Sequence, residues 1–572
     1  MLPCSLALAA PLLLLCAAHL WLPAGAAAPL LGAEFTTVPS GLCDILPAAI
    51  GSFVVPGTST PPPLDERGWP LADAAIELFD ARPSGTADGG APVDPAAFVP
   101  PGVYGAYAVS WRGSGALFVP PVLNASVSGA SFDAATWTSS ATLTLRPPLP
   151  ALALAVTGSA RNASAAPGSG FADLRVLQPS ARACAPGSLF TPQLAAAVAP
   201  FAHLRLMQWS YGWWVAGFVN ASAPGAPAIE WADRVAPSDA LWQPKALGAG
   251  APWEAAVRLA QETRKGLWLN VPVQASGAAV GDAGSYAHEL AALLRDGSAA
   301  TGGAGLPPGL PVYIEHANEV FLNESQGGPS LTYLWNRAAA QAEVAADPAS
   351  PLAAGGCSDP EVWALRRHVR RVAELGAIFR AVFGPAGAAR VRPVVALCAA
   401  DPARARAALA WLRDTAGPAA LAALYGLAVN SYAVAGIAPG GGALGEVLAA
   451  VRAASAANAA PRAAFAALAR DFGLALVSYE GALVALPVLR DAATTGQVIV
   501  ANRAPGWGAE VVRDHAQWAA AGGAEFNFFA LSSQYGEDAP AEVFQWGLTE
   551  DLGNTSTAKF QAVRAILAGA AA

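Results

Sequence analysis

The sequence predicts an α/β protein, a (β/α)8 TIM barrel with an N-terminal β-sandwich domain. Three observations point that way. Short β-rich runs separated by Pro/Gly turns occupy the region up to about residue 170. Beyond it, strand-like and helix-like runs alternate eight times. Several of the later strand-like runs end on polar or charged side chains, where a barrel presents its functional groups. A doubly wound sheet is the alternative that shares the alternation. The expected division is 1–28 as a signal peptide, 29–170 as the sandwich and 171–572 as the barrel.

The first residues read "MLPCSLALAAPLLLLCAAHLWLPAGAAAP", an apolar core from Leu6 to Leu22 followed by small residues. Ala24-Gly25-Ala26 fits an A-x-A cleavage site, and Pro11 and Pro23 disfavour the rival, an uncleaved membrane anchor. A secreted or extracellular (cell-wall) location follows, with no membrane association after cleavage. Five of twelve Asn residues lie in N-x-S/T sequons: Asn124, Asn162, Asn220, Asn323 and Asn554. These are the expected glycosylation sites of a secreted chain.

Net charge is −8, from 33 basic and 41 acidic residues, which disfavours a nucleic-acid partner. The one basic cluster, "RRHVRR" at Arg366–Arg371, lies in a helical pattern and reads as a solvated face. The six His are scattered and no HExxH occurs, so neither metal nor cofactor is expected. No G-x-S-x-G elbow is present either.

In the first region, "GVYGAYAVSWRG", "GALFVPPVLNASVSG" and "SATLTLRP" are the clearest strands. The barrel strands are then read as "LRVLQ" (174–178), "HLRLMQW" (203–209), "LWLNVPV" (267–273), "PVYIEHA" (311–317), "VRPVVAL" (391–397), "GLAVNSY" (426–432), "LALVSY" (474–479) and "EFNFFAL" (525–531). The clearest helix follows Asp359 and Pro360, an N-cap and a first-turn proline. Its apolar stripe takes in Val362, Leu365, Val369, Val372, Phe379 and Val382, and Gly384 ends it.

Reading the strand ends in order gives Arg205 and Trp209 on strand two, and Asn270 and Gln274 on strand three. Strand four ends in Asn318-Glu319, strand six in Asn430 and Tyr432, and strand seven in Glu480. Two carboxylates across one mouth suit cleavage of a glycosidic bond. One donates a proton to the leaving oxygen while the other, ionised, attacks the anomeric carbon. Glu315 and His316 read as structural, since strand alternation points one of them away from the axis.

The segments "IEHANEVFL", "LRLMQWS" and "SYEGA", with "WADRVAPSD" (Trp231–Asp239) and "ERGWP" (Glu66–Pro70), resemble those of clan A retaining glycoside hydrolases. Barrels of that clan carry Asn-Glu after strand four and Glu after strand seven. The resemblance implies Glu319 as acid/base and Glu480 as nucleophile, with Asn318 on the sugar 2-hydroxyl and Tyr432 and Arg205 beside the nucleophile. Trp209, Trp213, Trp214 and Trp546 become candidates for stacking on sugars. At three positions the chain departs from its relatives: Gln208 stands for Asp, Phe321 for Trp, and strand three ends in Val273-Gln274 without a His.

The expected function is a secreted glycoside hydrolase that cleaves β-linked glycans with retention, its partner a carbohydrate. The alternative is a non-catalytic carbohydrate-binding or cell-wall glycoprotein on the same barrel. Four cysteines follow the leader, for which Cys357–Cys398 and Cys43–Cys184 are the expected disulfides.

Overall fold

A computed structural model describes residues 30–35, 41–80, 101–148, 151–207, 228–242, 250–323, 329–440, 442–488, 492–533, 535 and 545–569. Residues 1–29, including the expected leader, lie outside the described residues.

Eight parallel strands close into a barrel. They are β1 (Leu30–Glu34), β9 (His203–Arg205), β10 (Gly266–Val271), β11 (Val312–His316), β12 (Val391–Ala396), β13 (Gly426–Ile437), β14 (Ala475–Pro487) and β15 (Gly523–Phe528). Strand β1 sits between the last and the second, with Leu31 opposite Phe526 and Glu34 opposite Arg205. Seven of the eight expected strand runs therefore fall in the barrel.

The first does not. The run at 174–178 falls in β8 (Ala172–Leu177), which pairs antiparallel with β3 (Gly105–Arg112) in the other domain. The barrel instead opens at Leu30, inside the stretch assigned to the sandwich. "LLGAE" has no polar boundary on its N-terminal side, since it continues the apolar, small-residue run that precedes it in sequence.

The expected fold class holds, and the sandwich enters as an insertion between β1 and β9. Its three-stranded sheet is β2 (Ala74–Asp80), β7 (Ala151–Ala160) and β4 (Ser114–Phe118). Its four-stranded sheet is β5 (Ala125–Asp133), β6 (Thr138–Leu145), β3 and β8. In β6 buried and half-buried residues alternate strictly, the signature of one face turned to a core. Leu78, Trp111, Leu143, Leu152 and Val176 come from both sheets and pack in one cluster.

Cys43 and Cys184 form a disulfide with Cα atoms 6.5 Å apart. Cys43 lies near the start of the insertion and Cys184 near its return, so the bridge closes the base of the inserted domain. The second expected pair is corrected: Cys357 and Cys398 are both free. Cys357 sits just before the helix Pro360–Gly387, where its carbonyl accepts from Trp363 Nε1 at 3.0 Å. Cys398 lies in a small cavity with Phe321, Leu365 and Arg404.

That helix starts as expected, with the Asp359 carboxylate accepting from Glu361 N. Gly384, at φ 67°, leaves helical geometry just before Pro385. "RRHVRR" is not a solvated face. His368 and Arg371 are buried, Arg371 donates to Gly277 O, and Arg370 grips Glu343 with two nitrogens. Each cation has a specific acceptor, which lets the long stems pack against neighbouring elements.

Candidate active site

The barrel interior is polar to an unusual degree: Glu34, His203, Arg205, Glu315, Glu525 and Asn527 are all buried. Alternation along β1 and β9 places Glu34 and Arg205 on the inner side, and Arg205 is the centre of the upper layer. Its Nε and Nη2 each donate to one oxygen of Glu315 at 3.1 Å. Its Nη1 reaches Glu34 Oε2 at 3.2 Å and Glu480 Oε1 at 2.5 Å, while Nη2 also donates to Asn318 Oδ1 at 2.7 Å. Trp268 Nε1 adds a bond to Glu315 Oε2 at 2.7 Å, and Met207 N one to Glu34 Oε1 at 2.8 Å. Burial alone would loosen the guanidinium's proton. Glu315, Glu480 and Glu34 together reverse that and raise its pKa well above the usual arginine value.

Glu315, expected to be structural, is the bidentate partner that fixes the arginine plane. Burial raises its pKa, and Arg205 opposes that rise. Glu34 was missed altogether, because its strand was.

Strand β14 carries a bulge where it matters. Val429 pairs with Ser478 and Asn430 with Glu480, so Tyr479 has no partner across that ladder. The ladder to β15 shifts at the same place. The extra residue lets Tyr479 and Glu480 both turn inward, which strict alternation forbids. Glu480 is 4% exposed, and its second oxygen accepts from the Tyr432 hydroxyl at 2.7 Å.

After β11 the backbone is held in an uncommon shape. Ala317 and Glu319 have φ of 52° and 50°, left-handed conformations that cost free energy in residues with a Cβ. Side-chain hydroxyls pin the turn: Thr332 Oγ1 donates to Asn318 O at 2.7 Å and Ser330 Oγ to Glu319 O at 3.0 Å. The result aims Asn318 at Arg205 and Glu319 at Tyr479, whose hydroxyl donates to Oε1 at 2.9 Å.

The two glutamates differ in environment. Glu480 accepts from a cation and a phenol. Glu319 accepts from Tyr479, and burial, then the charge of Glu480, push its pKa up to about 7. Glu319 can therefore hold a proton at neutral pH, beside a second carboxylate that a guanidinium and a phenol both hydrogen-bond.

Trp546 packs against Tyr432 with ring centroids 5.0 Å apart and against Phe529 at 5.4 Å, placing it beside the Glu480 pocket. Asn270 is buried and donates to Ala317 O at 3.2 Å, bracing the strained turn. Trp209, Trp213, Trp214 and Gln208 lie outside the described residues, as does Asn220. Among the described residues no cluster of three or more His, Cys, Asp or Glu could hold a metal ion.

Of the other sequons, Asn124 and Asn162 are exposed and Asn554 half-buried. Asn162 and Asn554 each accept from the backbone and hydroxyl of the serine two residues on, which leaves the amide nitrogen outside that turn. Asn323 is a correction. It is 8% exposed and its amide donates to Glu361 at 2.9 Å, so the nitrogen that would carry a glycan is engaged; residues 324 and 325 of the sequon lie outside the described residues.

No family model matches the sequence and no curated protein sequence matches it. Solved structures with a similar fold include an arabinose-bound family 51 α-L-arabinofuranosidase, at TM-score 0.45 and 12% identity, covering 94% of this chain and 80% of that one. Another is a xylanase 10C from Cellvibrio japonicus in complex with xylopentaose, at TM-score 0.31 and 12% identity, covering 92% and 98%. A family 5 mannosidase from Rhizomucor miehei follows at TM-score 0.28 and 10% identity, covering 66% and 87%. All three are glycoside hydrolases, and the likeness is one of fold.

Proposed function

We propose that this chain is a secreted glycoside hydrolase that cleaves β-linked glycans by retaining double displacement. One observation carries the reading: two glutamates share a barrel mouth, one bonded to Arg205 and Tyr432, the other with its pKa pushed up to about 7. Glu319 gives its proton to the glycosidic oxygen as the C–O bond breaks and Glu480 bonds the anomeric carbon. Water then attacks that carbon, Glu319 takes the water proton, and the Glu480–carbon bond breaks. Asn318, oriented by Arg205, lies where it can donate to the adjacent sugar hydroxyl. Trp546 offers the apolar face on which a sugar ring stacks.

The disulfide supports an oxidising compartment, and among the described residues Asn162 and Asn554 are sequons whose amide nitrogens are left for a glycan. The test is a panel of aryl glycosides and plant and algal polysaccharides. Glu480→Gln should abolish turnover. Glu319→Ala should keep partial activity on aryl glycosides with good leaving groups, and azide should restore its rate and yield a glycosyl azide. Full activity in both variants would remove the assignment.

A further inference from the structure

We propose that Tyr479 is a positioning residue for the proton donor: its hydroxyl occupies Glu319 Oε1 at 2.9 Å and leaves Oε2 to carry the proton toward the substrate. This rests on Glu319 being the acid/base. The geometry behind it is the β14 bulge, which spends one unpaired residue in the ladder to bring Tyr479 onto the same side as Glu480. Without that residue Glu319 would lose its only side-chain partner among the hydrogen bonds described for the site, and the carboxyl would be free to rotate.

The ring is held from several sides. Tyr479 is fully buried, with the Arg205 guanidinium 5.1 Å from its centroid and the Phe321 ring edge-on, 6.3 Å between centroids. One rigid ring therefore sits between the cation that grips the nucleophile and the acid that its own hydroxyl holds. Phe321 lies two residues past Glu319, so it supports the same ring from the strand-four side. An ionised carboxyl is stabilised by an O–H donor, so Tyr479 also sets how far burial can raise the Glu319 pKa. The charged and titratable groups facing Glu319 are Arg205 from β9, Glu315 from β11, Cys398 after β12, Tyr432 from β13, and Tyr479 and Glu480 from β14.

The test is Tyr479→Phe in the full secreted protein, which removes one oxygen from an otherwise intact ring. Glu319 is titrated directly by carboxyl carbon NMR of δ-13C-glutamate-labelled protein, assigned with Glu319→Gln. The midpoint should rise by about one pH unit, the size expected for loss of a hydrogen bond to a charged acceptor. Fluorotyrosine placed at 479, a stronger donor, should move it down. In turnover, the alkaline limb should follow the midpoint, and poor leaving groups should slow more than nitrophenyl glycosides. An unchanged midpoint in both variants overturns the proposal, whatever the activity. A shifted midpoint in a protein that hydrolyses no glycoside supports the Tyr479 contact and removes the hydrolase reading instead.

Discussion

Glu34 and Arg205 meet inside the barrel across 171 residues of chain, Oε2 to Nη1 at 3.2 Å. Arg205 also holds Glu315 and Glu480, so carboxylates outnumber the cation in this layer. Glu34→Ala should cost about 3 kcal/mol, because it strips partners from a buried guanidinium and from Met207 N. Glu34→Gln should cost clearly less, since it keeps an acceptor and removes one surplus negative charge. Urea unfolding of both variants checks this, and equal losses would contradict the charge balance.

The Glu319 pKa near 7 sets two pH dependences. In the proposed role of proton donor the residue would work while protonated, so activity should fall as pH rises through about 7. The sign for stability is the same. A carboxyl whose folded pKa is raised contributes fully below its unfolded value of 4.5, and that contribution is lost as pH climbs through about 7. Wild type should therefore lose stability relative to Glu319→Gln between pH 5 and 8. Thermal unfolding across that range measures it, and parallel curves would refute it.

Cys43 and Cys184 close a loop with a sequence separation of 141 residues. Chain entropy assigns such a bridge up to roughly 5 kcal/mol, and measured bridges usually give about 2–4 kcal/mol. Replacing both cysteines by serine should lower stability in that range. Limited proteolysis should then cut first at the base of the inserted domain, around residues 41–44 and 180–188. Glu319 and Glu480 belong to the barrel, so turnover per folded molecule should persist.

Gly32 is the inward position of β1 below Glu34. A Cβ there would lie 1.9 Å from Asn527 Oδ1 and 2.3 Å from His203 Nε2. Gly32→Ala should cost about 3 kcal/mol or more, because both neighbours are buried in the barrel. Adding His203→Ala should recover part of that loss, a coupling read from a double-mutant cycle.

The legible part of the molecule was the part that obeys simple periodicity. Strands β9 to β15 are apolar runs bounded by turns, and the residues at their ends, Arg205, Asn318, Tyr432 and Glu480, come together in one site. What stayed hidden breaks the periodicity or lies in a masking context. Strand β1 merges in sequence with the apolar run before it, and Glu34 with it. Tyr479 adjoins Glu480, and alternation assigns neighbours to opposite faces; only the bulge reverses that. The two free cysteines flank neighbouring strands, but strand adjacency says nothing about which way a thiol points. Buried Arg371 and His368 looked solvated because charge pattern carries no record of the carbonyls and carboxylates that meet it.

The early position of β1 also governs the order in which the molecule can be made. The strand emerges from the ribosome well before either of its neighbours, β9 and β15, and the second of these is synthesised almost last. The inserted sandwich pairs mostly with itself, so it can mature co-translationally while the first strand waits unpaired beside it. When residues 203–205 arrive, the finished insertion already holds the two flanking segments close. It thereby shortens the search for the β1–β9 contact, which spans 171 residues and which raw contact order would make slow. The insertion can thus act as a spacer of fixed width between the first two barrel strands, held at its base by the Cys43–Cys184 bridge.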